Sequence, residues 1–155
     1  MGRYVRVINN LSELAPLTSQ EVAISDWMRI EQDRVDLFAQ ATDDRQWIHV
    51  DVDRAARVSP FKGTIAHGFL TLALLPNLIE QAIRIDGLRL SLNYGLNRVR
   101  FPAPVPVGSR VRARLTLLSV EAIEGGLQVQ WHASFEREGG TKPVCVAEFL
   151  AHYYT

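Results

Sequence analysis

His67-Gly68-Phe69-Leu70-Thr71-Leu72-Ala73-Leu74-Leu75-Pro76-Asn77-Leu78-Ile79-Glu80-Gln81-Ala82-Ile83 decides how this chain is read. The stretch is apolar on nearly all sides, unlike an amphipathic surface helix, so a helix of about 18 residues here has to be enclosed by the rest of the fold. Pro76 lacks a backbone donor and clashes with the preceding turn, which predicts a kink near the middle of that helix.

Beyond Gly87 the texture changes to strands. Residues 88–101, 109–122, 127–138 and 144–154 are long runs rich in Val, Leu and aromatics, broken by a Pro-rich stretch from Pro102 to Gly108 and by Gly125-Gly126 and Gly139-Gly140. Val111, Ala113, Leu115 and Leu117 alternate with Arg110, Arg112, Arg114 and Thr116, the period of a half-buried strand. Four long strands joined by tight turns predict an antiparallel meander, and a further strand is expected across residues 22–30. One sheet wrapping one buried helix makes an α+β fold in a single domain covering residues 1–155.

Upstream of the helix, Val35, Phe38 and Ala39 recur at helical spacing and predict a short helix near residues 32–41. Asp51 and Asp53 precede Arg54-Ala55-Ala56-Arg57, the pattern of an N-cap followed by a brief helix.

Composition removes several classes of function. A chain of 155 residues buries a core without staples. Its 17 basic and 17 acidic side chains cancel, so no field of one sign favours nucleic acid or an anionic membrane surface. The single Cys145 lies in an apolar run and reads as a buried, inert thiol, with nothing to argue for an oxidising compartment. Met1-Gly2-Arg3-Tyr4-Val5-Arg6 has no apolar leader core, and the apolar run 69–75 is too short to cross a bilayer, so a soluble cytoplasmic protein is expected.

Two polar clusters interrupt this apolar background: Thr42-Asp43-Asp44-Arg45-Gln46-Trp47-Ile48-His49 and Thr64-Ile65-Ala66-His67-Gly68. A loop carrying Asp44 and His49 can turn both into one cavity, where an imidazole exchanges protons near neutral pH and a carboxylate orients it or holds water. If the helix starts at Gly68, its first backbone N–H groups lack partners and face a developing negative oxygen, and the missing side chain lets a ligand approach closely. His67 reads as a capping or core residue. Four histidines without metal-ligand spacing predict no metal site, and His132 and His152 sit in strand runs as structural residues.

The run from Phe38 to Asp51, with Phe61, Ile65-Ala66-His67-Gly68-Phe69 and Leu70-Thr71, resembles the signature of the MaoC-like (R)-specific enoyl-CoA hydratases. The segment from Asn93 to Val105 and Val107-Gly108-Ser109 extends the likeness over most of the chain, closest to the nodulation-protein-N-like dehydratase branch. The resemblance implies a hot-dog fold, with an antiparallel sheet wrapped around a long helix. It implies reversible addition of water to trans-2-enoyl thioesters, giving (R)-3-hydroxyacyl thioesters, on coenzyme A or acyl carrier protein, without metal or redox cofactor. It also implies a homodimer. Asp44 and His49 match the pair that activates water, with Asp44 favoured as base and His49 positioning water and relaying the proton. Gly68 matches the backbone donor to the thioester oxygen.

Many relatives carry Gly at the position of Asp43 and Asn-Pro in place of Gln46-Trp47, and some carry Ser near the position of Ala73. Lys62, Arg98 and Arg100 are the residues expected to meet coenzyme A phosphates. Two other activities suit the same fold: a thioesterase that directs water at the thioester carbonyl, and an acyl-thioester-binding subunit without catalysis.

Overall fold

The computed structural model describes residues 5–155; the leader reading over residues 1–4 lies outside them. In chain order the elements are β1 (Arg6–Ile8), β2 (Glu21–Ile24), β3 (Met28–Arg29), α1 (Gln32–Thr42), α2 (Trp47–Val50), α3 (Val52–Val58), α4 (Gly68–Ala73), α5 (Leu75–Ala82), β4 (Ile83–Ile85), β5 (Leu90–Arg100), β6 (Arg110–Ile123), β7 (Gly126–Arg137) and β8 (Cys145–Tyr154). Two 3-10 turns, Leu11–Glu13 and Ala15–Leu17, lie between β1 and β2.

The alternation read from sequence orients the long strands. Val111, Ala113, Leu115 and Leu117 of β6 are buried together with Val129, Trp131, Ala133 and Phe135 of β7 and with every second residue of β8 from Cys145 to Tyr153. The opposite face carries the arginines, which pair across strands: Arg112 with Glu136 at 2.7 Å, Arg114 with Glu21 at 2.8 Å and Arg110 with Glu138. Leu115, Ala133 and Ala147 stand in one cross-strand row, and two small side chains in that row leave depth over the sheet. There α4 packs on β8 and α5 on β6, placing Leu70, Leu75, Leu78 and Ala82 in the same buried core. Cys145 is in that core, where burial pushes its thiol up to about 12, as an inert residue requires.

The central helix breaks near its middle, as the sequence predicts, and four other expectations need correction. The break falls at Leu74, whose N–H is shared among earlier carbonyls, so Pro76 enters the first turn of α5, where its missing donor costs nothing. The helix is not fully enclosed, for Phe69 is 70% exposed and Ala73, Asn77 and Glu80 face outward. It ends at Ile83, where β-branched residues take the chain into β4, parallel to β1.

The four long strands do not form a simple meander. β6, β7 and β8 do, but the sheet order is β2-β6-β7-β8-β5, so β5 pairs with β8 and the Pro-rich segment after it crosses over instead of turning tightly. Residues 22–30 make two short strands on β6, because the chain leaves the sheet between Ile24 and Met28. The Asp44–His49 segment, read as a loop, contains the one-turn helix α2, which holds His49. The other local readings hold: α1 spans Gln32–Thr42, and the Asp51 side chain accepts from the Arg54 N–H at 2.9 Å at the head of α3.

Candidate active site

Asp43 ends α1 in the left-handed conformation, φ 59° and ψ 12°. This is a backbone geometry that Gly adopts freely and that Asp tolerates better than most residues, so the turn survives the change of residue. The chain then reverses through Asp44, whose carboxylate accepts from the Gln46 N–H at 3.4 Å, into α2. Trp47 opens that helix, its ring covered by the Arg54 guanidinium 4.4 Å away. Two residues later His49 points inward, 6% exposed.

His49 is held on three sides. Its Nδ1 lies 2.7 Å from the Ile65 carbonyl, which can only accept, so Nδ1 carries the hydrogen and Nε2 is left as an acceptor. Its own carbonyl accepts from Gln32 Nε2 at 2.7 Å, and the Gln32 Oε1 in turn accepts from the Thr64 hydroxyl at 2.6 Å. Its ring face stacks on His67 at 3.8 Å between centroids. Burial lowers the His49 pKa below the ordinary imidazole value, with nearby His67 adding to the effect. The Ile65 hydrogen bond and the Asp44 charge work against it.

A cavity of about 330 Å³ opens beside this ring, lined among others by His49, Phe61, Gly68, Thr71, Phe101 and Val105. The crossover segment after β5 forms one wall, fixed by the Ala66 N–H donating to the Val105 carbonyl at 2.8 Å and by the Val107 N–H donating to the Thr64 carbonyl at 2.9 Å. α4 begins at Gly68 as the sequence predicted. A methyl at Gly68 would stand 3.0–3.1 Å from the Phe101 ring, so only a residue without a side chain leaves that ring undisturbed beside the cavity.

Asp44 sits differently. Its side chain is 53% exposed, and its Oδ2 is 4.0 Å from His67 Nε2. One donor atom each from Asp44, His49 and His67 lies within 4.8 Å of the others, so the structure brings the predicted acid and imidazole together. The same trio is a candidate cation site on distance alone. The two imidazoles are stacked with 25° between their planes, so their lone pairs do not converge on one ion.

The cation predictions fare less evenly. Lys62 and Arg100 are exposed and adjoin Phe61 and Phe101 of the cavity wall in the chain. Arg98 is exposed two residues further along β5. Ala73 lines a second cavity of about 280 Å³ with Leu72, Leu75, Pro76, Leu96 and Phe149, away from His49. His152 is on the outer face, stacked on Tyr94 at 4.0 Å, and half-buried His132 faces the same way. Gln32 was unassigned from sequence. Its partners are 17 and 32 residues away, and no local pattern announces them.

Comparison with known proteins agrees with this architecture. The MaoC like domain family matches residues 13–134. A 3-hydroxyacyl-thioester dehydratase Z of Mycobacterium tuberculosis is 52% identical over 96% of this chain and 99% of its own. Nodulation protein N of Rhizobium meliloti is 42% identical over 92% of this chain and 89% of its own. Among solved structures, the unliganded R-hydratase PhaJ1 from Pseudomonas aeruginosa superposes with a TM-score of 0.71 at 26% identity, covering 88% of this chain and 81% of that one. With its split helix packed on an antiparallel sheet, the chain belongs to the MaoC-like dehydratase family and has the hot-dog fold.

Proposed function

We propose that the chain is an (R)-specific enoyl-thioester hydratase acting reversibly as a 3-hydroxyacyl-thioester dehydratase, with Asp44 and His49 handling water and the Gly68 N–H meeting the thioester oxygen. The observation that carries this reading is the fixed tautomer of His49. With Nδ1–H committed to the Ile65 carbonyl, Nε2 is the nitrogen that accepts a proton at the cavity.

The fixed tautomer and depressed pKa of His49 support it, rather than Asp44, which the sequence favours, as the base. A water held between His49 Nε2 and the Asp44 carboxylate gives its proton to Nε2 as its oxygen bonds to C3. The electron pair of the double bond moves onto the thioester oxygen as an enolate, facing Gly68 N–H. The imidazolium, held by the Ile65 carbonyl and facing the Asp44 carboxylate, then returns the proton to C2, so one water is consumed and no further reactant is required. Neither a metal nor a redox group takes part in these steps.

Exposed Lys62, Arg98 and Arg100 are proposed to meet substrate phosphates, whether from coenzyme A or from the pantetheine arm of an acyl carrier protein. A homodimer is proposed through β5, an edge strand with Leu90, Leu92, Tyr94 and Leu96 all exposed. Among the described residues no helix is long and apolar enough to cross a membrane, and a cytoplasmic site of action is proposed.

Incubation with crotonyl-CoA separates this function from thioester hydrolysis. The enoyl absorbance is expected to fall with no free thiol released. Thiol release with the double bond intact would replace the hydratase reading by the thioesterase one.

A further inference from the structure

His67 touches both Asp44 and His49 and directly precedes Gly68. It is 2% exposed, with its ring between Phe38, 4.9 Å away and tilted, and His49, stacked at 3.8 Å. Its Nε2 lies 2.9 Å from the main-chain carbonyl of Asp44, so Nε2 carries the hydrogen and donates it. Its Nδ1 is buried without a hydrogen-bond partner, an arrangement that native cores rarely keep without a use. Its carbonyl accepts from the Thr71 N–H at 3.1 Å and so builds the first turn of α4, and the peptide bond it forms with Gly68 carries the Gly68 N–H.

From this we infer that His67 is the positioning residue of the site, setting the separation between Asp44 and the His49 ring. The inference rests on the hydratase reading for its kinetic consequence only. Two separable contacts do the work. The Nε2–H bond fixes the loop carrying Asp44, and the ring face fixes the rotation of His49 about its bond to Ile65. The titratable groups facing His67 are Asp44 from the loop after α1 and His49 from α2; Phe38 from α1 and Thr71 from α4 are uncharged. A uniquely placed imidazole also explains why a polar ring stands where a buried apolar one would pack without an unpaired nitrogen.

The test uses His67→Gln, which keeps a donor near the Asp44 carbonyl and loses the stacked ring, and His67→Phe, which keeps the ring and loses the donor. Both are expected to lower kcat by about tenfold to a hundredfold with KM within threefold, the scale of a small misplacement of reacting groups. The acidic limb of the pH profile is expected to move to higher pH in His67→Phe, since a group that lowers the His49 pKa is removed. Folded variants with unchanged kcat and an unmoved limb would overturn the inference. So would a loss of melting temperature with the limb unmoved, which is what a merely structural residue gives. Titration of the His49 ring followed by NMR needs no substrate. If the wild-type chain fails to hydrate crotonyl-CoA the functional reading falls, and an upward shift of the His49 titration in His67→Phe supports the positioning role while an unmoved one refutes it.

Discussion

The two halves of the site are built in opposite ways. His49 is buried, its carbonyl held by Gln32 of α1 and its ring and tautomer by residues 65–67, whereas the Asp44 side chain is more than half exposed and accepts only at 3.4 Å from the Gln46 N–H, though the Asp44 carbonyl is tied to His67 at 2.9 Å. The contrast assigns labour. A group that must accept and return one proton at one atom gains from a fixed orientation, while a group that holds water and charge at the mouth needs only to be near. Burial also lowers the pKa of His49, keeping it unprotonated and ready to accept, at the cost of dependence on its neighbours.

The largest expected effects come from removing either half. His49→Gln should lower kcat by about 10²–10⁴-fold, the range of a lost general base, and Asp44→Asn by less, because the fixed imidazole remains. Equal losses, or a larger one at Asp44, would break the division drawn here; stopped assays with crotonyl-CoA measure both. Next comes Gly68→Ala. The methyl meets the ring of Phe101, which is part-exposed and can swing away, so folding should change by less than about 1 kcal/mol while turnover falls about tenfold as the backbone becomes harder to approach.

Gln32→Ala sharpens the same comparison from the buried side. It leaves the His49 carbonyl and the Thr64 hydroxyl without their partner, which should cost about 1–3 kcal/mol in urea unfolding and reduce kcat severalfold with little change in KM. The smallest effects belong to the turn. Asp43→Gly should be neutral to slightly stabilising, whereas Asp43→Val forces a β-branched residue to positive φ and should cost about 1–2 kcal/mol. Thermal melts of the pair read this directly.

How much of this was written in the sequence follows from the range of the interactions involved. Strict alternation in β6, Pro76, the Asp51 cap and the acid–imidazole cluster are local signals, and each landed where periodicity or residue chemistry put it. The crossover of β5 to β8 was not legible, because strand order is decided by pairing across the sheet and an apolar strand reads the same at an edge as beside a neighbour. β8 alternates buried and half-buried positions, while its partner β5 is open on both faces. The apolar surface of the split helix misled in the same direction. An apolar run predicts enclosure for Phe69, yet its ring is 70% exposed and meets Phe101 edge-on at 6.1 Å. In the site, the acid, the imidazole and the glycine were recognised individually, but Gln32 and the stacking of His67 on His49 are tertiary contacts with no local signature.

The dependence of kcat/KM on pH for hydration of crotonyl-CoA tests the central claim, that a neutral, buried His49 takes the proton from water. Activity should fall as pH drops through the His49 pKa, so the acidic limb should have its midpoint below the ordinary imidazole value of 6.5, and His49→Gln should abolish that limb. A midpoint above 6.5, or a limb that survives in His49→Gln, would contradict it.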